Sequence, residues 1–315
     1  MKVLYVTNMY PVKDYTYYGI HVKEQIDSIV SNHKMSSTIY FINGRVTKLS
    51  YLLSIIKINW LIYKLKVDVI HIHFGLSGLF LLFNPFLTIP VLLTLHGSDV
   101  NTKNTFIKFL VRKVISKSNK TIVMNSQMYD DVKRFAKALE VIPCGVDLNF
   151  FRPILKTANE SLVLGFCGNP ERSEKNYGLF SDIVKQLNGK GFNTEAVIFH
   201  NLSRAQVVSK LNYVDVLLLT SFNEGSPQII KEALACNTPV VSVPVGDVPF
   251  VLSGVDNCRI ASNYQPDKLI KCILEVTAEK SGFEEDKGRK KLKALNLDHW
   301  SVANRIFNCY KELAP

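Results

Sequence analysis

No two cysteines in this chain have the C-x-x-C spacing that holds zinc or runs thiol exchange. The six, at Cys144, Cys167, Cys236, Cys258, Cys272 and Cys309, lie mostly in apolar segments. They read as reduced core thiols, and neither structural zinc nor a disulfide framework is expected. Nor does any unbroken apolar run reach the roughly 20 residues of a membrane span. The longest, Leu79 to Leu95, is interrupted by Asn84, Pro85 and Pro90. The opening stretch from Met1 to Thr7 is too short for a secretory signal and lacks a small-residue cleavage site, so a cytoplasmic location is expected. Also missing are a G-x-G-x-x-G after an early strand and a G-x4-G-K-S/T loop, which excludes nicotinamide dehydrogenases and P-loop enzymes.

What is present points to a large globular chain. Its 315 residues suggest about two domains, and 47% apolar against 21% charged residues allow a real core. The net charge is +11 and is unevenly spread: residues 1–150 hold 18 Lys+Arg against 9 Asp+Glu. Such a basic half suits an anionic substrate, an anionic bilayer surface or nucleic acid. No nucleic-acid reading motif accompanies it, so no nucleic acid partner is expected.

Short β-branched runs alternate with longer amphipathic stretches in both halves, the pattern of βαβ units and parallel sheets. Strands are predicted at Val3 to Thr7, Ser37 to Phe41, Val67 to His73, Val91 to Leu95, Lys120 to Met124 and Glu140 to Pro143. The second half repeats the scheme with strands from Ser161, Thr194, Val214, Pro239 and Cys258. Turn formers at Pro143 to Asp147 and Arg152-Pro153 mark a boundary. The expected class is α/β, with domains at 1–150 and 151–297 and a last helix in 298–315. Doubly wound sheets bind ligands beyond the carboxyl ends of their strands, which for two facing sheets means the cleft between them.

The strongest local signal is Ser221-Phe222-Asn223-Glu224-Gly225-Ser226-Pro227-Gln228-Ile229-Ile230-Lys231-Glu232-Ala233, after an apolar strand and opening a helix. Gly225 permits a close turn, Pro227 suits the first helical position, and free amides there suit a phosphate or a sugar hydroxyl. Two carboxylates, Glu224 and Glu232, flank the turn. This E-x7-E, followed by Ala235-Cys236-Asn237-Thr238-Pro239-Val240-Val241-Ser242 and Gly246-Asp247-Val248, resembles the retaining GT-B glycosyltransferases of family 4.

That resemblance covers nearly the whole chain. It implies the GT-B fold: two Rossmann-like domains, a cleft, and a C-terminal helix crossing back to the first domain. It implies that a nucleotide-diphosphate sugar is the donor, a hydroxyl compound the acceptor, and no metal or other cofactor takes part. Glu232 would hold ribose hydroxyls, Glu224 the transferred sugar, and the backbone amides around Gly225 and Ser226, in the donor-binding turn that ends at Pro227, the diphosphate. Lys175, in Phe166-Cys167-Gly168-Asn169-Pro170-Glu171-Arg172-Ser173-Glu174-Lys175, matches the family's phosphate lysine. Asn169 stands where relatives carry an arginine, and Arg172 is the expected substitute cation.

In the first half, Tyr18-Gly19-Ile20-His21 resembles the family's glycine-rich loop, with only Gly19 present. Leu95-His96-Gly97-Ser98-Asp99 resembles its H-G-S/T-D loop, which implies that His96 donates a hydrogen bond near the reacting sugar; His21 and Asp99 are acceptor-side candidates. His71 and His73 share a strand face and are expected to floor the cleft without binding metal. The helices at Leu49 to Lys66 and Thr105 to Ser116 mix apolar residues with lysines, and no acid occurs between Val100 and Tyr129. They suit an anionic, peripheral membrane contact and a lipid-linked acceptor. Two alternatives stand beside a retaining transferase of cell-envelope polysaccharide synthesis: a GT-B nucleotide-sugar 2-epimerase, and a catalytically degenerate partner subunit, for which Asn169 and the lone Gly19 speak.

Overall fold

Valine, isoleucine and leucine fill the strands on both faces, which is what a parallel sheet covered by helices demands. In the computed structural model, which describes residues 1–13, 15, 17–154, 159–278 and 286–314, the chain divides into two compact units. One is Met1–Cys144 together with His299–Pro315; the other is Gly145–Asp298. The division falls at Cys144, a few residues before the expected position.

The first unit contains β1 (Lys2–Thr7), α1 (Ile20–His33), β2 (Ser36–Phe41), α2 (Leu49–Leu65), β3 (Val69–His73), β4 (Val91–Thr94), α3 (Thr105–Lys117), β5 (Lys120–Val123), α4 (Ser126–Val132) and β6 (Leu139–Val141). All its strand pairs are parallel, in the order β2-β1-β3-β4-β5-β6. The second unit contains β7 (Leu162–Phe166), α5 (Tyr177–Gly189), β8 (Thr194–Ile198), α6 (Arg204–Tyr213), β9 (Val216–Leu219), α7 (Gln228–Ala235), β10 (Val240–Ser242), α8 (Val248–Leu252), β11 (Cys258–Ile260), α9 (Pro266–Ala278) and α10 (Lys287–Ala294). Its parallel order is β11-β10-β9-β7-β8.

In each sheet the order reverses at the first strand: β1 lies between β2 and β3, and β7 between β8 and β9. Crossovers leave on opposite faces there, so a crevice opens at the carboxyl ends. The loops after β1 and β3, and those after β7 and β9, therefore sit where a ligand is accommodated within each unit.

The last helix, α11 (His299–Leu313), belongs to the first unit and lies against α1. Its Tyr310 is fully buried, with the phenol 2.6 Å from His71 Nδ1 and 3.1 Å from the Tyr5 hydroxyl. His71 Nε2 is in turn 2.8 Å from the Thr94 hydroxyl. His71 thus closes a buried polar chain and is not an open floor residue; burial pushes its pKa down to about 3.

Three local differences from the sequence expectation have physical reasons. Residues Gly75–Phe83, read only as a broken apolar run, form a 3-10 helix beneath α3. Their glycines allow this, since a Cβ on Gly75 would lie 2.7 Å from Val111 and one on Gly78 2.4 Å from Val114. Pro227 caps α7 from outside at φ −65° rather than occupying its first turn. The short α8 was not anticipated, because five residues are too few to show a helical period. All six cysteines are free, and no helix among the described residues is long and apolar enough to cross a membrane.

Candidate functional site

At the carboxyl end of β7 the chain turns through Gly168 at φ +123°, a conformation L side chains rarely adopt. A Cβ there would stand 3.1 to 3.3 Å from the Lys175 stem, so the bare backbone lets that lysine fold across the strand end. The lysine closes a single 3-10 turn, Ser173–Lys175, which is pinned to the end of β9. Thr220 Oγ1 donates to the carbonyl of Lys175 at 3.0 Å, and the Phe222 amide donates to that of Glu174 at 2.9 Å. These ties bring Lys175 Nζ to Glu224 Oε1, to which it donates at 2.6 Å. Both side chains are mostly buried, at 18% and 12% exposure.

Glu232 lies within α7 and is almost fully buried. Its charge is met by Arg204, whose Nη2 donates to Oε1 at 2.7 Å and whose guanidinium lies 4.7 Å from the Phe151 ring centroid. Arg204 opens α6 behind a capping box of Ser203 and Gln206. Sequence reasoning missed it: the box announces a helix start, but nothing local says that a buried carboxylate 28 residues on needs this cation.

The turn between the two glutamates is held from behind. Gly246, at φ +56°, has no room for a side chain, since a Cβ would lie 2.7 Å from the carbonyl oxygens of Glu224 and Gly225. The Asp247 amide donates to the Gly225 carbonyl at 3.3 Å. Burial raises the Asp247 carboxyl above its usual range, against the pull of Lys231 and of the Ser226 hydroxyl. Among the described residues the buried hydroxyl of Ser221 has no hydrogen-bond partner, and no side chain caps the amides that open α7. Polar groups left in this state beside a charged pair suit an incoming hydroxyl-rich or anionic ligand.

Arg172 stands apart from this group. It is exposed and paired with Glu174 of its own turn, with Nε donating to Oε1 at 2.7 Å. The structure thus brings Arg204 to Glu232 and Lys175 to Glu224, and leaves Arg172 with Glu174. Asn169 accepts from the Glu171 amide at 3.0 Å and so shapes the turn.

In the first unit, Gly19 caps α1 at φ +69°. A Cβ there would be 2.4 Å from the Met9 carbonyl carbon, so loop packing alone already requires glycine. His96, after β4, meets His73 through Nε2 at 3.1 Å, and its ring lies 4.4 Å from Phe74 and 5.0 Å from His21. Burial and the neighbouring His21 and His73 hold its pKa well below the usual histidine value, so it is neutral. Asp99, the acceptor-side candidate, has both carboxylate oxygens engaged by backbone. It accepts from the amides of Gly75, His96, Gly97 and Val100 at 3.0, 3.2, 3.0 and 3.1 Å, fixing the loop that carries His96. Among the described residues no group of three or more His, Cys, Asp or Glu could hold a metal ion.

The same unit has an apolar face. Leu49, Leu52, Leu53, Ile56, Trp60 and Tyr63 of α2 are exposed, Tyr63 at 87%. Phe83 and Phe86 are exposed as well, Phe86 at 89%, and Asn84 between them donates to Asn59 of α2 at 2.7 Å. Lys64 covers the Trp60 ring at 4.7 Å. Between Asp27 and Asp130 the sequence has only two acids: Asp68, which accepts from the Lys2 amide, and the buried Asp99.

Two family models tile most of the chain: "Glycosyltransferase Family 4" matches residues 21–150 and "Glycosyl transferases group 1" residues 145–279. The chain belongs to the group 1 glycosyltransferases of family 4. Among curated relatives, a Bacillus subtilis protein named as a teichuronic acid biosynthesis glycosyltransferase is 25% identical over 213 residues, 58% of this chain and 54% of that one. The match thus spans about half the length of that relative. Sucrose-phosphate synthase from Thermosynechococcus elongatus has a similar structure, with a TM-score of 0.77, 15% identity and coverage of 99% and 98% of the two chains. Anabaena HepE, solved with UDP, superposes with a TM-score of 0.72 at 12% identity, over 99% and 100%. These likenesses give the glycosyltransferase the GT-B fold.

Proposed function

We propose that this glycosyltransferase moves a sugar, with retention, from a nucleotide diphosphate to a hydroxyl acceptor. The observation that carries the reading is the Gly225 turn flanked by the Lys175–Glu224 and Arg204–Glu232 pairs at the reversal point of the second sheet. Glu232 holds the ribose hydroxyls through the oxygen not taken by Arg204. Glu224 accepts from hydroxyls of the transferred sugar, and ionised carboxylates suit this because each accepts several hydrogen bonds. The diphosphate lies over Ser226 and the opening amides of α7, with Lys175 neutralising charge as it leaves. In this reading side-chain cations take the place of a divalent ion. The acceptor hydroxyl attacks on the same face and gives its proton to the departing phosphate.

The acceptor in this proposal is lipid-linked, and the first unit rests on an anionic bilayer through the α2 face. Exposed apolar side chains, Lys64 over the Trp60 ring and almost no acid in the surrounding sequence support it. The relative named for teichuronic acid biosynthesis supports a place in cell-envelope polysaccharide synthesis.

A thermal-shift panel of UDP, GDP and ADP on wild type and Glu232→Ala tests the donor site without an acceptor. A ligand at 100 times its dissociation constant adds about 2.7 kcal/mol. The expected result is a shift of several degrees for one nucleotide, lost in the variant. No shift from any of them, in a folded protein, overturns the reading in favour of a partner subunit.

A further inference from the structure

We propose that His73 is a positioning residue that fixes the proton of His96 on Nδ1, so that His96 acts as a neutral hydrogen-bond donor. The inference rests on the role that the family resemblance implies for His96, a hydrogen bond donated to the reacting sugar. The two rings share one hydrogen bond, between His73 Nδ1 and His96 Nε2 at 3.1 Å, with ring centroids 5.4 Å apart and planes at 24°. One of the two nitrogens carries the proton and the other accepts it.

The far nitrogen of His73 decides which. His73 is fully buried, and its Nε2 has no hydrogen-bond partner among the described residues. Were His96 the donor, a neutral His73 would carry its own proton on Nε2, as a buried N–H with nothing to receive it. Orphaned buried donors are rare and costly, whereas an unused acceptor is better tolerated. With His73 donating, Nε2 keeps only a bare lone pair. His96 Nε2 is then the acceptor, and its own proton sits on Nδ1.

A doubly protonated ring is disfavoured throughout the cluster. Burial lowers the pKa of both His73 and His96; His71 and His21 lower that of His73 further, and His21 and His73 that of His96. Tyr5, whose ring lies 6.3 Å from that of His73, is itself held protonated by burial. The ring of His96 is also constrained in place: Asp99 fixes its amide, and Phe74 and His21 pack against it. The wrong tautomer would turn a lone pair toward a sugar hydroxyl where an N–H is needed.

Long-range proton–nitrogen spectra of protein labelled with 15N-histidine read the tautomer directly, with His96 assigned by its loss in His96→Gln. The expected spectrum shows Nδ1 protonated and Nε2 bare from about pH 6 to pH 8. In His73→Phe, which keeps a packed ring but removes the donor, His96 should pass to a mixed or Nε2-protonated state. Turnover should then fall about 10- to 100-fold with little change in donor KM. His73→Asn, whose amide can still donate at the Nδ1 position, should restore the tautomer. Nε2-protonated His96 in the wild type overturns the proposal even if His73→Phe does not fold. The spectra need no donor, so a failed nucleotide panel alongside an Nδ1-protonated His96 removes the donor site and leaves this assignment standing.

Discussion

Lys175 donates to Glu224 at 2.6 Å across the ends of two neighbouring strands, β7 and β9. The pair is mostly enclosed, so the lysine is already aimed before any ligand arrives. If Lys175 meets the leaving diphosphate as proposed, Lys175→Met should lower kcat by about 10²- to 10³-fold. Steady-state turnover of the donor named by the nucleotide panel checks this; unchanged kcat would remove Lys175 from the site.

Arg204 and Glu232 should behave as one unit. Removing either leaves a poorly solvated charge, at a cost of roughly 3 to 5 kcal/mol for a fully buried pair. Arg204→Ala is expected to weaken nucleotide affinity nearly as much as Glu232→Ala. The double variant should lose less stability than the two single losses added together. Urea unfolding and nucleotide titration of all four proteins measure the coupling, and strict additivity would refute it.

Gly246→Ala separates backbone strain from collision. A left-handed residue other than glycine costs about 1 to 2 kcal/mol, and here the new Cβ also meets the carbonyl oxygens of Glu224 and Gly225 at 2.7 Å. Gly254, at φ +76°, has nothing within 4 Å of such a Cβ. Both variants should lose stability, but only Gly246→Ala should also weaken nucleotide binding. Equal binding in the two would show that Gly246 does not position the Glu224 turn.

Acid should loosen α11. Burial raises the Glu140 carboxyl, but Lys120 and then Arg305 outweigh it and hold its pKa below the ordinary glutamate value. Lys120 bonds Glu140 at 2.9 Å and Glu312 of α11 at 2.7 Å, and Arg305 of α11 bonds Glu140 at 3.2 Å. A depressed carboxylate pKa stabilises above its unfolded value, about 4.3, and that contribution is lost as pH falls through the lower folded value. Protection of the α11 amides from hydrogen exchange, corrected for the intrinsic rate at each pH, should therefore fall below about pH 4 and recover above it. Glu140→Gln should flatten that dependence.

The bilayer proposal is tested by placing acids on the apolar face. Trp60→Glu combined with Tyr63→Glu should abolish co-sedimentation with phosphatidylglycerol vesicles while leaving the nucleotide shift intact. Each lysine near the surface contributes about 1 kcal/mol, so binding of the wild type should fall steeply with salt. Binding that ignores anionic lipid content would rule the surface out.

That Glu224, Gly225 and Lys175 gather at neighbouring strand ends was legible in the sequence, because each follows an apolar strand in a turn that opens a helix. Most strand cores were legible for a similar reason, a period that buried parallel strands impose, with ends trimmed by a residue or two. Arg204 and Gly246 were not, because their importance comes from contacts made across the fold. Gly19 and Asp99 looked like ligand-facing residues, yet the chain uses one to let Met9 pass and the other to gather four amides. Arg172 shows the converse case: correct charge in the correct loop, but a nearer partner in Glu174.

The link from Tyr310 to His71 and Tyr5 also bears on the order in which this chain can assemble. The unit Gly145–Asp298 is a continuous segment and can close as soon as it leaves the ribosome. The first unit, though made earlier, keeps His71 and Tyr5 uncovered until α11 has been synthesised some 240 residues later. Ribosome-bound chains ending before α11 should therefore hold a finished second unit beside an unfinished first one, reversing the usual order of domain maturation.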